Sequence, residues 1–133
     1  MTTIYAREDD LDADGYIDIV KKSGLARPIE DRARVERMLA NANLIVTARQ
    51  DGKLVGFARS VTDFCFCCYL SDLAVDPACQ GQGVGRRLIE ETRVHAGGPM
   101  TTTLLLSAPT AMSFYQGIKM PHADNCFLYR REK

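Results

Sequence analysis

Gln80-Gly81-Gln82-Gly83-Val84-Gly85-Arg86-Arg87 places three glycines at alternate positions, after an apolar run that ends at Asp76 and Pro77. An arginine pair then opens a helix-like pattern. A helix N-terminus presents unpaired N–H groups and the positive end of the helix dipole, and glycines let an anion reach them with no Cβ in the way. The chemistry such a turn supports is phosphate binding, because three alternating glycines exceed what a bare turn needs. A Walker A loop would need a Lys and then a Ser or Thr after the last glycine; Arg86, Arg87 and Leu88 stand there instead, with no hydroxyl for magnesium. A dinucleotide fold would carry GxGxxG after its first strand and an acidic residue about twenty positions on, whereas here the turn comes late and no GxGxxG is present.

Other chemistry-bearing residues give weaker patterns. Cys65, Cys67 and Cys68 crowd one apolar run while Cys79 and Cys126 stand apart, which matches neither a disulfide framework nor a paired CxxC zinc site. They read as reduced cysteines used as small apolar side chains, and no metal is expected. His95, late in a helical pattern, and His122, after Pro121, read as surface residues. The chain of 133 residues balances 17 Lys and Arg against 17 Asp and Glu. No overall basic field draws it onto nucleic acid or an anionic membrane, so any anion is held locally. The longest apolar stretches are strand-sized and the N-terminus lacks a signal-peptide pattern, so the reading is a cytoplasmic protein of one domain, 1–133.

The elements that must position the turn follow from periodicity. Thr2 to Arg7 reads as a first strand; an acidic cluster then caps a helix over YIDIVKKS, with Gly24 just past its end. Pro28 opens a second helix, with Ile29, Val35, Met38 and Leu39 near one face. NLIVTARQ and KLVGFARSVTD are strands joined by Asp51-Gly52, a two-residue hairpin turn. Phe66 to Val75 reads as a strand buried on both faces. Beyond the glycine turn come a helix to about Ala96, a buried strand TTTLLLS, a short helix from Thr110 to Tyr115, and a last strand near Cys126 to Arg130. The order is β-α-α-β-β-β-α-β-α-β, an α+β fold with a mixed sheet, in which Val75 to Thr101 has the length of a parallel crossover.

LAVDP followed by Gln80-Gly81-Gln82-Gly83-Val84-Gly85 resembles the Q/R-x-x-G-x-G/A signature of the GCN5-related N-acetyltransferases (GNAT). Their downstream N-x-x-A-x-x-F-Y pattern is similar to Ala108 through Tyr115, with Ala108 where the pattern has Asn and Gly117-Ile118 where it has Gly-Phe. The resemblance implies a GNAT-like central mixed sheet flanked by helices, with acetyl-CoA as acetyl donor. Gly81, Gln82, Gly83, Val84, Gly85 and Arg86 would hold the coenzyme A pyrophosphate. The backbone of Leu73, Ala74 and Val75 would pair with the pantetheine arm, and an amide there would polarise the thioester carbonyl. Tyr115 matches the family's general acid for the departing thiolate; packing the short helix onto the sheet is the other role open to it.

YLSDLAV resembles the strand of polyamine-type members, which carry two adjacent acids where this chain has Ser71 and Asp72. Asp72 is therefore a candidate base, directly or through water, or else a carboxylate paired with Arg59. Asp63 and Tyr69 are further candidates, by position, to line an acceptor cleft. The implied activity is transfer of an acetyl group to a primary amine of a small molecule or peptide. A non-catalytic module that senses acyl-CoA is the alternative, and an unpaired edge strand leaves room for a homodimer.

Overall fold

The computed structural model describes residues 2–133. Five strands, β1 (Thr3–Arg7), β2 (Leu44–Gln50), β3 (Lys53–Thr62), β4 (Cys67–Val75) and β5 (Thr102–Leu104), form one sheet in sequence order. All neighbours are antiparallel except β4 and β5, which run parallel. Two helices, α1 (Ala13–Ser23) and α2 (Arg32–Asn41), precede β2. Helix α3 (Val84–His95) makes the crossover from β4 to β5, and α4 (Met112–Gly117) follows β5. The mixed sheet flanked by helices is the one expected.

Local chemistry accounts for the elements. Asp12 caps α1 by accepting the Gly15 amide at 2.8 Å, and Gly24 ends it at φ 76°. Asp51 and Gly52, at φ 50° and 78°, make the tight turn between β2 and β3. One core lies between the sheet and α3, built on Leu44, Val46, Leu70, Val84 and Leu88; the other lies between the sheet and α1 and α2, built on Tyr16, Ile19, Val35, Ile45 and Phe57. The glycine turn and α1 thus meet opposite faces of β4.

Several expectations need correction. Pro28 does not open α2: its carbonyl accepts the Asp31 amide at 3.1 Å in a preceding turn, and the Asp31 side chain caps the helix at the Arg34 amide. Ile29 still packs on the second core. β4 is not buried on both faces; exposed or half-exposed residues alternate with the buried Cys68, Leu70, Asp72 and Ala74. TTTLLLS yields only three strand residues, none of them buried, because β5 pairs on one side alone and only with Cys67–Tyr69. No strand forms over Cys126–Arg130: these residues have no ladder partner and Phe127 and Tyr129 are fully exposed, so β propensity finds nothing to pack against. All five cysteines are free; Cys68 and Cys79 are buried as small apolar side chains, while Cys65, Cys67 and Cys126 are exposed.

Candidate active site

The glycine turn does what an anion cradle requires, with a different task for each glycine. Gly81 and Gly83 sit at φ 82° and 80°, and a Cβ on either would meet nothing within 4 Å, so the space above the turn is open. Gly83 is the N-cap of α3 and supplies no side-chain acceptor, leaving the first-turn amides of the helix without a side-chain partner. A diphosphate fits such an end: it supplies the missing acceptors and the negative charge that the dipole favours. Gly85 has a packing task as well, because a Cβ there would come 2.9 Å from Phe114 Cζ. Gln82 Oε1 accepts from Gln50 Nε2 at 3.2 Å, and Gln80 Nε2 donates to the Val75 carbonyl at 3.3 Å, tying the turn to β2 and β4. Val84 is buried under the turn, and Arg86 lies on the exposed helix face, 3.3 Å from Glu90.

Beside the turn, β4 has an open edge. β5 covers it only as far as Tyr69, so from Leu70 onward no strand among the described residues lies on that side. The register with β3 slips between Arg59 and Ser60, where Ser71 has no partner, and this bulge decides which main-chain groups face outward. Asp76 N–H donates to Val55 O at 2.7 Å, so Ala74 and Asp76 face β3 while Leu73 and Val75 face the open side. Leu73 and the Val75 amide therefore offer hydrogen bonds to an extended ligand, while the Val75 carbonyl already accepts from Gln80 Nε2 and the main chain of Ala74 is committed to the sheet.

Asp72 faces into the protein. Its carboxylate is wholly buried and accepts from Tyr16 Oη at 2.7 Å, Arg27 Nε at 2.7 Å, Ser71 Oγ at 3.1 Å and Arg59 Nε. Burial works to raise its pKa, but hydrogen bonds and charge from Arg59 and then Arg27 outweigh it and hold the carboxyl below the ordinary aspartate range. Burial and the Asp72 charge push the Tyr16 phenol well up, so it stays a neutral donor. With four donors on two oxygens and no path to solvent, this carboxylate is poorly placed to take a proton from an amine. The pairing with Arg59 is what the geometry supports.

Tyr115 stands on α4, packed against the core that also takes Leu73 and Val75. Its ring meets Phe114 edge to face at 5.0 Å. Burial raises the phenol above the ordinary tyrosine value, and the positive charge of Arg27 pulls the other way. No hydrogen bond among the described residues holds the hydroxyl, which leaves its proton available to a ligand.

The remaining candidates do not join this group. Asp63 takes the amides of Cys65, Phe66 and Cys67 and so orders its own loop, while Tyr69 pairs opposite Leu104. His95 and His122 are exposed. No cluster of three or more His, Cys, Asp or Glu able to hold a metal occurs among the described residues, and none of their helices is long and apolar enough to cross a membrane. A cleft of about 460 Å³ between α3, β5 and residues 118–121 includes Arg86, but neither β4 nor Tyr115. The candidate groove along the open edge of β4 is therefore separate from this cleft.

Tyr16 and Arg27 went unnoticed in the sequence. Tyr16 had a signal, since it shares the inward face of α1 with Ile19 and Val20 and a buried hydroxyl needs a partner. Arg27, in the loop after Gly24, had none.

Comparison with known proteins bears on the same segments. A profile described as an acetyltransferase (GNAT) domain matches residues 41–118, from the last residue of α2 to just past α4. A rice protein (Oryza sativa subsp. japonica) named serotonin N-acetyltransferase 2, chloroplastic, is 29% identical over 111 residues, 80% of this chain and 54% of its own length. The chain thus spans about half of that relative. A probable acetyltransferase from Staphylococcus aureus superimposes with a TM-score of 0.77 at 18% identity, over 98% of this chain and 99% of the other. The PaiA N-acetyltransferase from Thermoplasma acidophilum, solved with coenzyme A, gives 0.68 at 16% identity over 89% of both chains. These structures share the fold. Because the profile match covers more than half of its length and takes in the glycine turn, the open edge of β4 and Tyr115, the chain belongs to the GNAT acetyltransferase family.

Proposed function

We propose that this chain transfers an acetyl group from acetyl-CoA to a primary amine by direct attack on the thioester. The observation that carries the reading is that three features gather around one core: the uncapped N-terminus of α3 behind Gly83, the outward main chain of Leu73 and Val75, and Tyr115 with its free hydroxyl. Acetyl-CoA supplies an already activated acyl group. The chain's own work is to hold it, polarise its carbonyl and place protons.

The amides behind Gly83 would hold the pyrophosphate, helped by the openness above Gly81. Leu73 and Val75 would pair with the pantetheine arm as an added strand, and the Leu73 amide would polarise the carbonyl. As the new C–N bond forms and the C–S bond breaks, Tyr115 would give its proton to the sulfur. The amine's surplus proton would leave to water, since Asp72 is sealed off. The rice relative is named for serotonin, itself a primary amine, which supports an acceptor of that kind.

Release of free thiol from acetyl-CoA, followed across a panel of primary amines, tests the reading. Amine-dependent release is expected. Tight coenzyme A binding with no release for any amine would favour an acyl-CoA-sensing module instead.

A further inference from the structure

We propose that Arg27 is the docking point for an anionic group of the carboxylate class carried by the acceptor amine. This rests on the acetyl-transfer reading of the same groove. Arg59 alone, with its side chain only 10% exposed, suffices to neutralise Asp72. Arg27 adds a second guanidinium to the same carboxylate, with its side chain 20% exposed, so the cluster carries one surplus positive charge. A partly buried charge without a counter-ion is unfavourable, and the natural remedy is an anion at its accessible side.

The place is specific. Arg27 Nη2 donates to the Ser71 carbonyl at 2.7 Å, and Ser71 is the bulge residue that begins the row of outward-facing main chain continued by Leu73 and Val75. The glycine turn lies beyond the other end of that row. Arg27 therefore caps the far end of the groove, where the reacting acyl group would lie. Of its five N–H donors, Nε goes to Asp72, one on Nη1 to Ala26 O at 2.6 Å and one on Nη2 to Ser71 O, which leaves two without partners among the described residues. A guanidinium with spare donors is suited to a carboxylate. No acidic side chain other than Asp72 pairs with it among the described residues. A polycationic acceptor would meet repulsion here.

Two measurements test this. In the first, thiol release is compared for matched pairs, phenylalanine with phenethylamine and tryptophan with tryptamine. The wild-type protein should favour the amino acids by about tenfold or more in kcat/KM, the worth of a charge-assisted hydrogen bond. Arg27→Gln should erase the preference through KM, and Arg27→Lys should restore part of it. A wild-type preference for the decarboxylated amines, or one unchanged in Arg27→Gln, would overturn the proposal. In the second, benzoate and 3-phenylpropionate are titrated against the protein saturated with coenzyme A, a readout that needs no turnover. Binding should weaken by about tenfold or more in Arg27→Gln; absence of binding to wild type, or equal binding to both proteins, counts against Arg27. Lack of thiol release from every amine would sink acetyl transfer, while the titration still decides the anion site. Should Arg27→Gln fail to fold, Arg27→Lys and the wild-type preference decide it.

Discussion

Gly85 and Phe114 are in contact so close that one added methyl group does not fit: a Cβ on Gly85 would lie 2.9 Å from Phe114 Cζ. The third glycine of the turn thus makes room for α4 while its amide stays among the open ones at the start of α3, and Phe114 in turn meets the Tyr115 ring edge to face.

Gly85→Ala should consequently separate binding from chemistry. Phe114 is partly exposed and can swing aside, and alanine gains about 1 kcal/mol of helix propensity over glycine, so the melting temperature should change little. Displacing Phe114 moves Tyr115, and kcat should fall several-fold while coenzyme A affinity, followed by calorimetry, stays near wild type. A full wild-type kcat would mean that Tyr115 does not depend on this contact.

Gly83→Asp places a negative charge and a side chain where the helix amides are open. The left-handed backbone at φ 80° costs a non-glycine residue about 1–2 kcal/mol, which the fold should survive. Coenzyme A at about 100 times its dissociation constant stabilises a protein by roughly 2.7 kcal/mol, and that thermal shift should vanish in the variant. An unchanged shift would assign the glycines to the turn alone.

Tyr115→Phe keeps the ring packing and removes the proton. Positioned proton transfer contributes about 10²- to 10⁴-fold, so kcat should drop at least about tenfold with coenzyme A binding intact. An acid must be protonated to act, and burial raises this phenol, so wild-type kcat should fall only above the usual tyrosine value of about 10. The variant should lack that alkaline fall. Equal turnover at saturating substrates would strike Tyr115 from the mechanism.

Asp72→Asn distinguishes a buried anchor from a base. Removing one partner of a buried ion pair costs about 3–5 kcal/mol, so a large drop in denaturation midpoint is expected. A carboxyl held below its unfolded value stabilises fully above about pH 4 and loses that contribution as pH falls through the lower folded value. The wild type should therefore weaken at acid pH more than the variant does. A stable Asp72→Asn protein with lost turnover would return Asp72 to the role of base.

What the sequence determined by itself was local. The alternate glycines required an open turn at a helix start, Asp51-Gly52 required a hairpin, and Asp12 and Gly24 bounded α1, because caps and left-handed positions are decided within a few residues. The glycine motif and the Phe-Tyr pair at 114–115 also carried the family. Tertiary structure alone decided the rest. Whether CFLYR becomes a strand depends on a neighbour to pair with, and here it has none. Which groups of β4 face the groove hangs on a single slipped residue at Ser71, since one bulge reverses the alternation beyond it. The fate of Asp72 is the clearest case, for the donors that bind its carboxylate come from positions 16, 27, 59 and 71. A carboxylate's basicity depends on what is folded around it, and three of those four partners are far away along the chain.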